Sequence, residues 1–201
     1  MINIAVMGYG TVGSGVVEVI NTNGARINQR IGEELNIKYV LDMKDFPGDP
    51  VQDKIIHDFE TIVSDEEVQI VVEVMGGIEP ARTMILEALH AGKNVVTANK
   101  DLVATHGHEL LEAAEESGVD FLFEAAVAGA IPIIRPLKQC LAANEIQEVI
   151  GIVNGTTNFI LTKMIEEGMD FDDALALATE LGYAEADPTA DIEGLDAGRK
   201  V

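Results

Sequence analysis

The chain has no tryptophan, a single cysteine, and only 13 lysines and arginines against 35 aspartates and glutamates. Each shortage excludes something. With aromatics at 4%, the interior cannot rest on stacked rings and must be aliphatic, rich in valine, isoleucine and leucine. One thiol, Cys140, cannot build an intramolecular disulfide framework. A formal charge of -22 repels phosphate backbones and anionic lipid, so nucleic acid and membrane surfaces are excluded as natural partners. No apolar run approaches the ~20 residues that span a bilayer. The opening MINIAVMGYG enters a strand pattern at once, without the basic, apolar and small-residue regions of a secretory leader. The expected location is the cytoplasm.

What is present is an alternation. The apolar runs INIAVM, IKYVLD, QIVVEVM, NVVTA and VDFLFEA take turns with the longer amphipathic stretches TVGSGVVEVINTN, EPARTMILEALHAG, DLVATHGHELLEAAEESG and IPIIRPLKQCLAAN. Short apolar strands separated by helices predict an α/β fold, a Rossmann-type doubly wound parallel sheet with its strands buried between helix layers. Gly92 and Gly118 stand where left-handed C-caps would end two of the helices. After Asn144 the texture changes: EIQEVIGIVN has a strand pattern, NGTTNFILTKMIEEG reads as a turn into a helix, and DFDDALALATELG as a helix capped by Asp170 or Asp172. The expected division is a nucleotide-binding domain over 1–144 and the beginning of a second, α+β domain over 145–201.

The first strand runs into MGYGTVGSG, with Gly8, Gly10 and Gly13 in G-x-G-x-x-G spacing. The first glycine permits a tight turn, the second lets backbone approach a pyrophosphate, and the third lets helix pack on strand. Thr11 and Val12 open the helix, whose free N–H groups and positive dipole face the phosphates. The coenzyme is therefore NAD or NADP. At the end of the second strand Asp42 suits a ribose 2′-hydroxyl and NAD, whereas Lys44 suits a 2′-phosphate and NADP. Both remain open, as does a plain solvated strand end, because Asp42 lies further from Gly13 than the usual ~20 residues.

Three further stretches reach the carboxyl ends of strands, where ligands of open α/β sheets bind: TANK with Asn99 and Lys100, EAAVAGAIPII with Glu124, and NGTTNFI with Asn154, Gly155 and Thr156. Together with the closing GYAEADPTADIEGLDAGRK, in this order, they resemble homoserine dehydrogenase, the family that interconverts L-aspartate 4-semialdehyde and L-homoserine with NAD(P)H in threonine and methionine biosynthesis. The resemblance covers the whole chain. It implies Lys200 as proton donor to the alkoxide formed when hydride arrives, a role an ammonium suits. It implies Lys100 beside coenzyme and substrate, Gly182 as a further coenzyme contact, and Thr156 and Glu185 as substrate contacts, the Glu185 carboxylate taking the substrate's amino group. Asp196, four residues before Lys200 and on the same helical face, matches a substrate-binding aspartate of the catalytic set, and Asp191 is a further acid of the pocket. A structural sodium ion held largely by backbone oxygens of Glu124, Val127, Gly129 and Ile131, and a homodimer of the full-length protein, are also implied.

Simpler readings stand beside these. Acids in so acidic a chain usually face solvent, and Asn99, Lys100, Thr156 and Thr157 could merely begin helices. His106 and His108 diverge on a helix start, with no third ligand at metal spacing. Cys140 sits on an amphipathic pattern and is expected to be a buried, inert thiol, which disfavours dehydrogenases that acylate a cysteine. Family members are about twice as long, so the resemblance implies an N-terminal portion whose substrate domain continues beyond Lys200. Two alternatives follow: a nucleotide-binding module without turnover, and another NAD(P)-dependent oxidoreductase of amino-acid metabolism.

Overall fold

The computed structural model describes residues 1–184 and 187–201, which form two compact units, Met1–Gly129 and Ala130–Val201. The first is a six-stranded parallel sheet: β1 (Ile2–Met7), β2 (Leu35–Leu41), β3 (Ile55–Ile56), β4 (Val68–Glu73), β5 (Asn94–Thr97) and β6 (Phe121–Leu122). Its spatial order is β3-β2-β1-β4-β5-β6, the doubly wound arrangement expected from the alternation. The order reverses between β1 and β4, which lie side by side with Met7 opposite Glu73.

The central strand shows why both faces must be covered. Successive side chains of a strand point to opposite faces. Ala5 and Met7 enter one core with Val71, Val95 and helix residues Ile85, Leu89, Leu102 and Leu110. Ile4 and Val6 enter a second core with Val17, Ile37 and Val40. The first is roofed by α3 (Ala81–His90) and α4 (Lys100–Ser117), the second by α1 (Thr11–Ile31). Each fully buried aliphatic side chain contributes about 1.5–3 kcal/mol, so the two layers make β1 the anchor of the unit. Gly92 and Gly118 adopt the expected left-handed backbone, at φ 75° and 67°. Short α2 (Glu60–Val63), α5 (Ala125–Ala128) and the edge strand β3 were not evident in the sequence pattern.

The second unit contains α6 (Gly155–Glu167), α7 (Phe171–Glu180), α8 (Thr189–Ile192) and α9 (Leu195–Lys200). A small core of Ile160, Ala174, Ala178 and Ala184 holds it, and Asp170 caps α7 by accepting from the Asp173 N–H at 3.0 Å. Three expectations are corrected here. The stretch IPIIRPLKQCLAAN is helical only over 134–140, with a π-helical turn at Pro136–Cys140 in place of a full-length crossover helix. Cys140 is exposed, not buried. EIQEVIGIVN is not a strand among the described residues, and Ile150 and Ile152 are 85% and 80% exposed. A strand pattern needs a neighbour to take its N–H and C=O groups, and the unit's described residues form helices only. The division between units precedes Ala130, so this whole stretch belongs with the second unit. Among the described residues no helix is long and apolar enough to cross a membrane.

Candidate active site

The glycine loop joins β1 to α1 at the carboxyl edge of the sheet. Gly8 has φ 100°, a backbone region that side chains rarely tolerate, and its N–H donates to the Leu41 carbonyl at 2.8 Å. A Cβ on Gly13 would lie 1.9 Å from the Gly8 carbonyl oxygen, whereas a Cβ on Gly10 would meet nothing within 4 Å. The third glycine is thus needed for packing inside the protein. The second borders open space, as backbone facing a ligand should. Helix α1 starts from Gly10 without a side-chain cap and without an acid in its first turn, so the N–H groups around Thr11, Val12 and Gly13 form an anion-binding end.

Asp42 follows β2 and reaches back to this loop. Its Oδ2 accepts from the Tyr9 N–H at 2.8 Å and its Oδ1 from the Lys44 N–H at 3.0 Å. The 21-residue length of α1 explains why Asp42 lies so far from Gly13 in sequence. Lys44 is exposed. His57 Nδ1 lies 2.7 Å from the Asp42 carbonyl oxygen and its Nε2 3.2 Å from Asp45, and these contacts, the Asp42 carbonyl foremost, raise the imidazole pKa above its ordinary value.

The ends of β4 and β5 carry a polar chain that the apolar run QIVVEVM concealed. Glu73 is fully buried, accepting from Thr97 Oγ1 at 2.6 Å and from the Met75 N–H at 2.8 Å. Thr97 Oγ1 in turn accepts from the Asn99 N–H at 2.9 Å, and Asn99 donates to the Gly77 carbonyl while capping α4 through the Leu102 N–H. Asn99 is therefore a helix cap as well as a loop tie, and it sets Lys100, first residue of α4, at the carboxyl edge. The one signal for Glu73 was an acid inside an otherwise apolar strand.

In the second unit Asp191 and Asp196 converge on the Asn154 amide, and Lys200 joins them through Asp196. Asn154 caps α6, its Oδ1 accepting from the Thr157 N–H and Oγ1, both at 2.8 Å. Its Nδ2 donates to Asp191 Oδ1 at 2.7 Å and Asp196 Oδ2 at 2.9 Å. Lys200 Nζ donates to the same Asp196 oxygen at 2.7 Å and to the Val153 carbonyl at 2.6 Å. The ion pair is largely withdrawn from solvent, with side chains 19% and 8% exposed for Lys200 and Asp196. An ammonium has three protons, and these two acceptors leave one for a further partner. Thr156 is buried and donates to the Tyr183 carbonyl at 2.8 Å, beside a Phe159–Tyr183 ring stack. Gly182, at φ 79°, turns the chain after α7. Glu185 lies outside the described residues.

Of the residues expected to hold sodium, Glu124 precedes α5 and Val127 lies within it, while Gly129 ends the first unit and Ile131 lies in the second. Among the described residues no group of three or more His, Cys, Asp or Glu could hold a metal. His106 and His108 face separate partners, Glu109 and Glu112.

The family profile described as homoserine dehydrogenase, NAD binding domain, matches residues 8–124, and that described as homoserine dehydrogenase matches residues 132–201. The chain belongs to the homoserine dehydrogenase family. The homoserine dehydrogenase of Corynebacterium glutamicum is 52% identical over 202 residues, covering 99% of this chain and 45% of that protein. That of Bacillus subtilis is 46% identical over 204 residues, covering 100% of the chain and 47% of that protein. The crystal structure of a homoserine dehydrogenase from Thiobacillus denitrificans superposes with a TM-score of 0.91 at 46% identity, covering 99% of this chain and 47% of that one. A hyperthermophilic archaeal homoserine dehydrogenase in complex with NADPH matches with a TM-score of 0.84 at 33% identity, covering 99% and 67%. The chain spans about half the length of the curated family members it matches. Membership makes the glycine loop part of an NAD(P)-binding fold.

Proposed function

We propose that this chain carries the NAD(P)-dependent interconversion of L-aspartate 4-semialdehyde and L-homoserine. The observation that carries this is the ammonium of Lys200, held between Asp196 and the Val153 carbonyl with Asn154 fixing Asp196 from its other side. The nicotinamide coenzyme, when bound, supplies or accepts the hydride. The glycine loop fits such a coenzyme, having backbone open to space at Gly10 and an uncapped helix start.

In the reductive direction Lys200 gives a proton to the oxygen that becomes the alkoxide, and in the oxidative direction it takes that proton back. Asp196 holds the ammonium by charge and orients it, leaving its remaining proton for the substrate oxygen. Glu185 receives the substrate's amino group, and Asp191, kept in place by Asn154, is a further acid of the pocket. Lys100 adds positive charge near coenzyme and substrate, and Thr156 and Gly182 complete the contacts. A structural sodium ion on oxygens of Glu124, Val127, Gly129 and Ile131 belongs to the same proposal. Gly129, at φ 60° and ψ -110°, bends the backbone sharply enough to curl carbonyls toward a cation. A cytoplasmic homodimer is the expected setting. The names of the relatives favour this oxidoreductase over a binding module without turnover.

The test is homoserine oxidation followed by nicotinamide absorbance. Lys200→Met should lower kcat by about 10²- to 10⁴-fold, the usual weight of a positioned acid–base group, with NAD(P)H binding unchanged. Turnover that survives this change, or dinucleotide binding without homoserine oxidation in the unaltered chain, would overturn the proposal.

A further inference from the structure

We propose that Asp42 makes the coenzyme site selective for the dinucleotide lacking a 2′-phosphate, NAD(H) over NADP(H). The proposal rests on the reading of the glycine loop as the coenzyme site and concerns a choice on which the family assignment is silent. It also separates this chain from the relative whose structure contains NADPH.

The carboxylate is positioned rather than loose. One of its oxygens is fixed by the N–H of Tyr9, which stands between the first two glycines, and the other by the N–H of Lys44. Below it, the Asp42 N–H donates to the Ile56 carbonyl at 3.2 Å and the Gly8 N–H ties the loop to Leu41. A carboxylate offers about four lone-pair directions, so each Asp42 oxygen retains one. Two acceptor directions on neighbouring oxygens are the complement of a vicinal diol, which is what an unphosphorylated ribose presents. A 2′-phosphate in that place would set two anions against each other, and like charges held together at a binding site are strongly selected against.

The surroundings offer the phosphate little compensation. Between Asp42 and Asp49 the chain has three carboxylates and one lysine. Asp49 is held by the Tyr9 hydroxyl at 3.1 Å and caps the turn at Val51. Both ring nitrogens of His57 are engaged, by the Asp42 carbonyl and by Asp45. Lys54 donates to the Ile37 carbonyl at 2.6 Å. Lys44 is exposed, and its own backbone N–H holds the Asp42 carboxylate.

The experiment titrates NADH and NADPH separately into the 201-residue protein, following nicotinamide fluorescence, with ADP and 2′,5′-ADP as competitors. NADH should bind at least about tenfold more tightly than NADPH, and ADP should compete better than 2′,5′-ADP. Asp42→Asn removes the charge and keeps a side-chain oxygen, and should shrink the preference toward unity. Asp42→Ser serves as a second variant should the first fail to fold. Lys44→Ala should leave the preference in place. NADPH binding as tightly as NADH, or an Asp42→Asn or Asp42→Ser protein that keeps the full preference, overturns the selectivity while leaving the coenzyme site intact. Binding of neither dinucleotide overturns the coenzyme site itself and the selectivity with it.

Discussion

The two units build their sites from different parts of the chain. In the first, the anion-binding end of α1 consists of backbone, with glycines at Gly8, Gly10 and Gly13 admitting the geometry. In the second, the polar cluster consists of the side chains of Asn154, Asp191, Asp196 and Lys200. Backbone groups are the same in every residue, so the first site is broken by adding atoms. The second is broken by removing them.

Adding a methyl group at Gly13 should have the largest effect. Gly13→Ala places Cβ against the Gly8 carbonyl, a backbone atom that cannot swing aside. The overlap should cost about 3 kcal/mol or more and abolish dinucleotide binding, measured by thermal melting and NADH titration. Gly10→Ala, which meets nothing, should leave the melting temperature unchanged while weakening binding; equal behaviour of the two variants would erase the distinction between packing and ligand-facing glycines.

Removal of atoms comes next. Asn154→Ala takes away both the α6 cap and the amide shared by Asp191 and Asp196. Loss of such a cap alone costs about 1 kcal/mol, and the abandoned carboxylates add to it. Hydrogen exchange should show protection falling in α6 and α9 while the amides of β1 and β4 hold. Loss spread evenly over both units, or none at all, would count against Asn154 as the organiser of its unit.

The smallest effect is electrostatic and belongs to the first unit. The Lys38 ammonium, 2.6 Å from Asp65, holds that carboxylate down to about 2, with help from the Glu67 N–H and the Tyr39 hydroxyl. Since the folded pKa is depressed, the stabilisation is complete above the unfolded aspartate value near ~3.9 and is lost as pH falls through about 2. Urea midpoints measured from pH 5 downward should therefore decline over this window, and Asp65→Asn should flatten part of the decline. An unchanged slope in the variant would show that other carboxylates govern acid unfolding.

The same contrast explains what was legible in the sequence. The glycine loop was readable because each of its backbone requirements is written as a glycine, and β1, β2, β4 and β5 because strands covered on both faces are predominantly apolar. Lys200, Asp196, Asp191 and Thr156 were reached through their likeness to a family, since nothing in their spacing ties them to Asn154. Glu73 escaped because its partner Thr97 lies on the neighbouring strand, 24 residues away, and a single acid does not disturb an apolar run. EIQEVIGIVN misled for the opposite reason: side-chain alternation is necessary for a strand, but a ladder partner makes it one. Cys140 misled because amphipathic spacing implies a buried face only where another element covers it, and the short helical turn that ends at Cys140 buries none of its residues.

Asn154 also joins parts of its unit that are distant in sequence. Its bonds to Asp191 and Asp196 close loops of 37 and 42 residues, and the entropy of closing a loop rises with its length. The Gly8–Gly13 approach spans five positions of adjoining chain. The glycine turn, too, is tied to Asp42 across 33 residues, but the lysine is positioned only where the far end of the chain has come back to meet one asparagine.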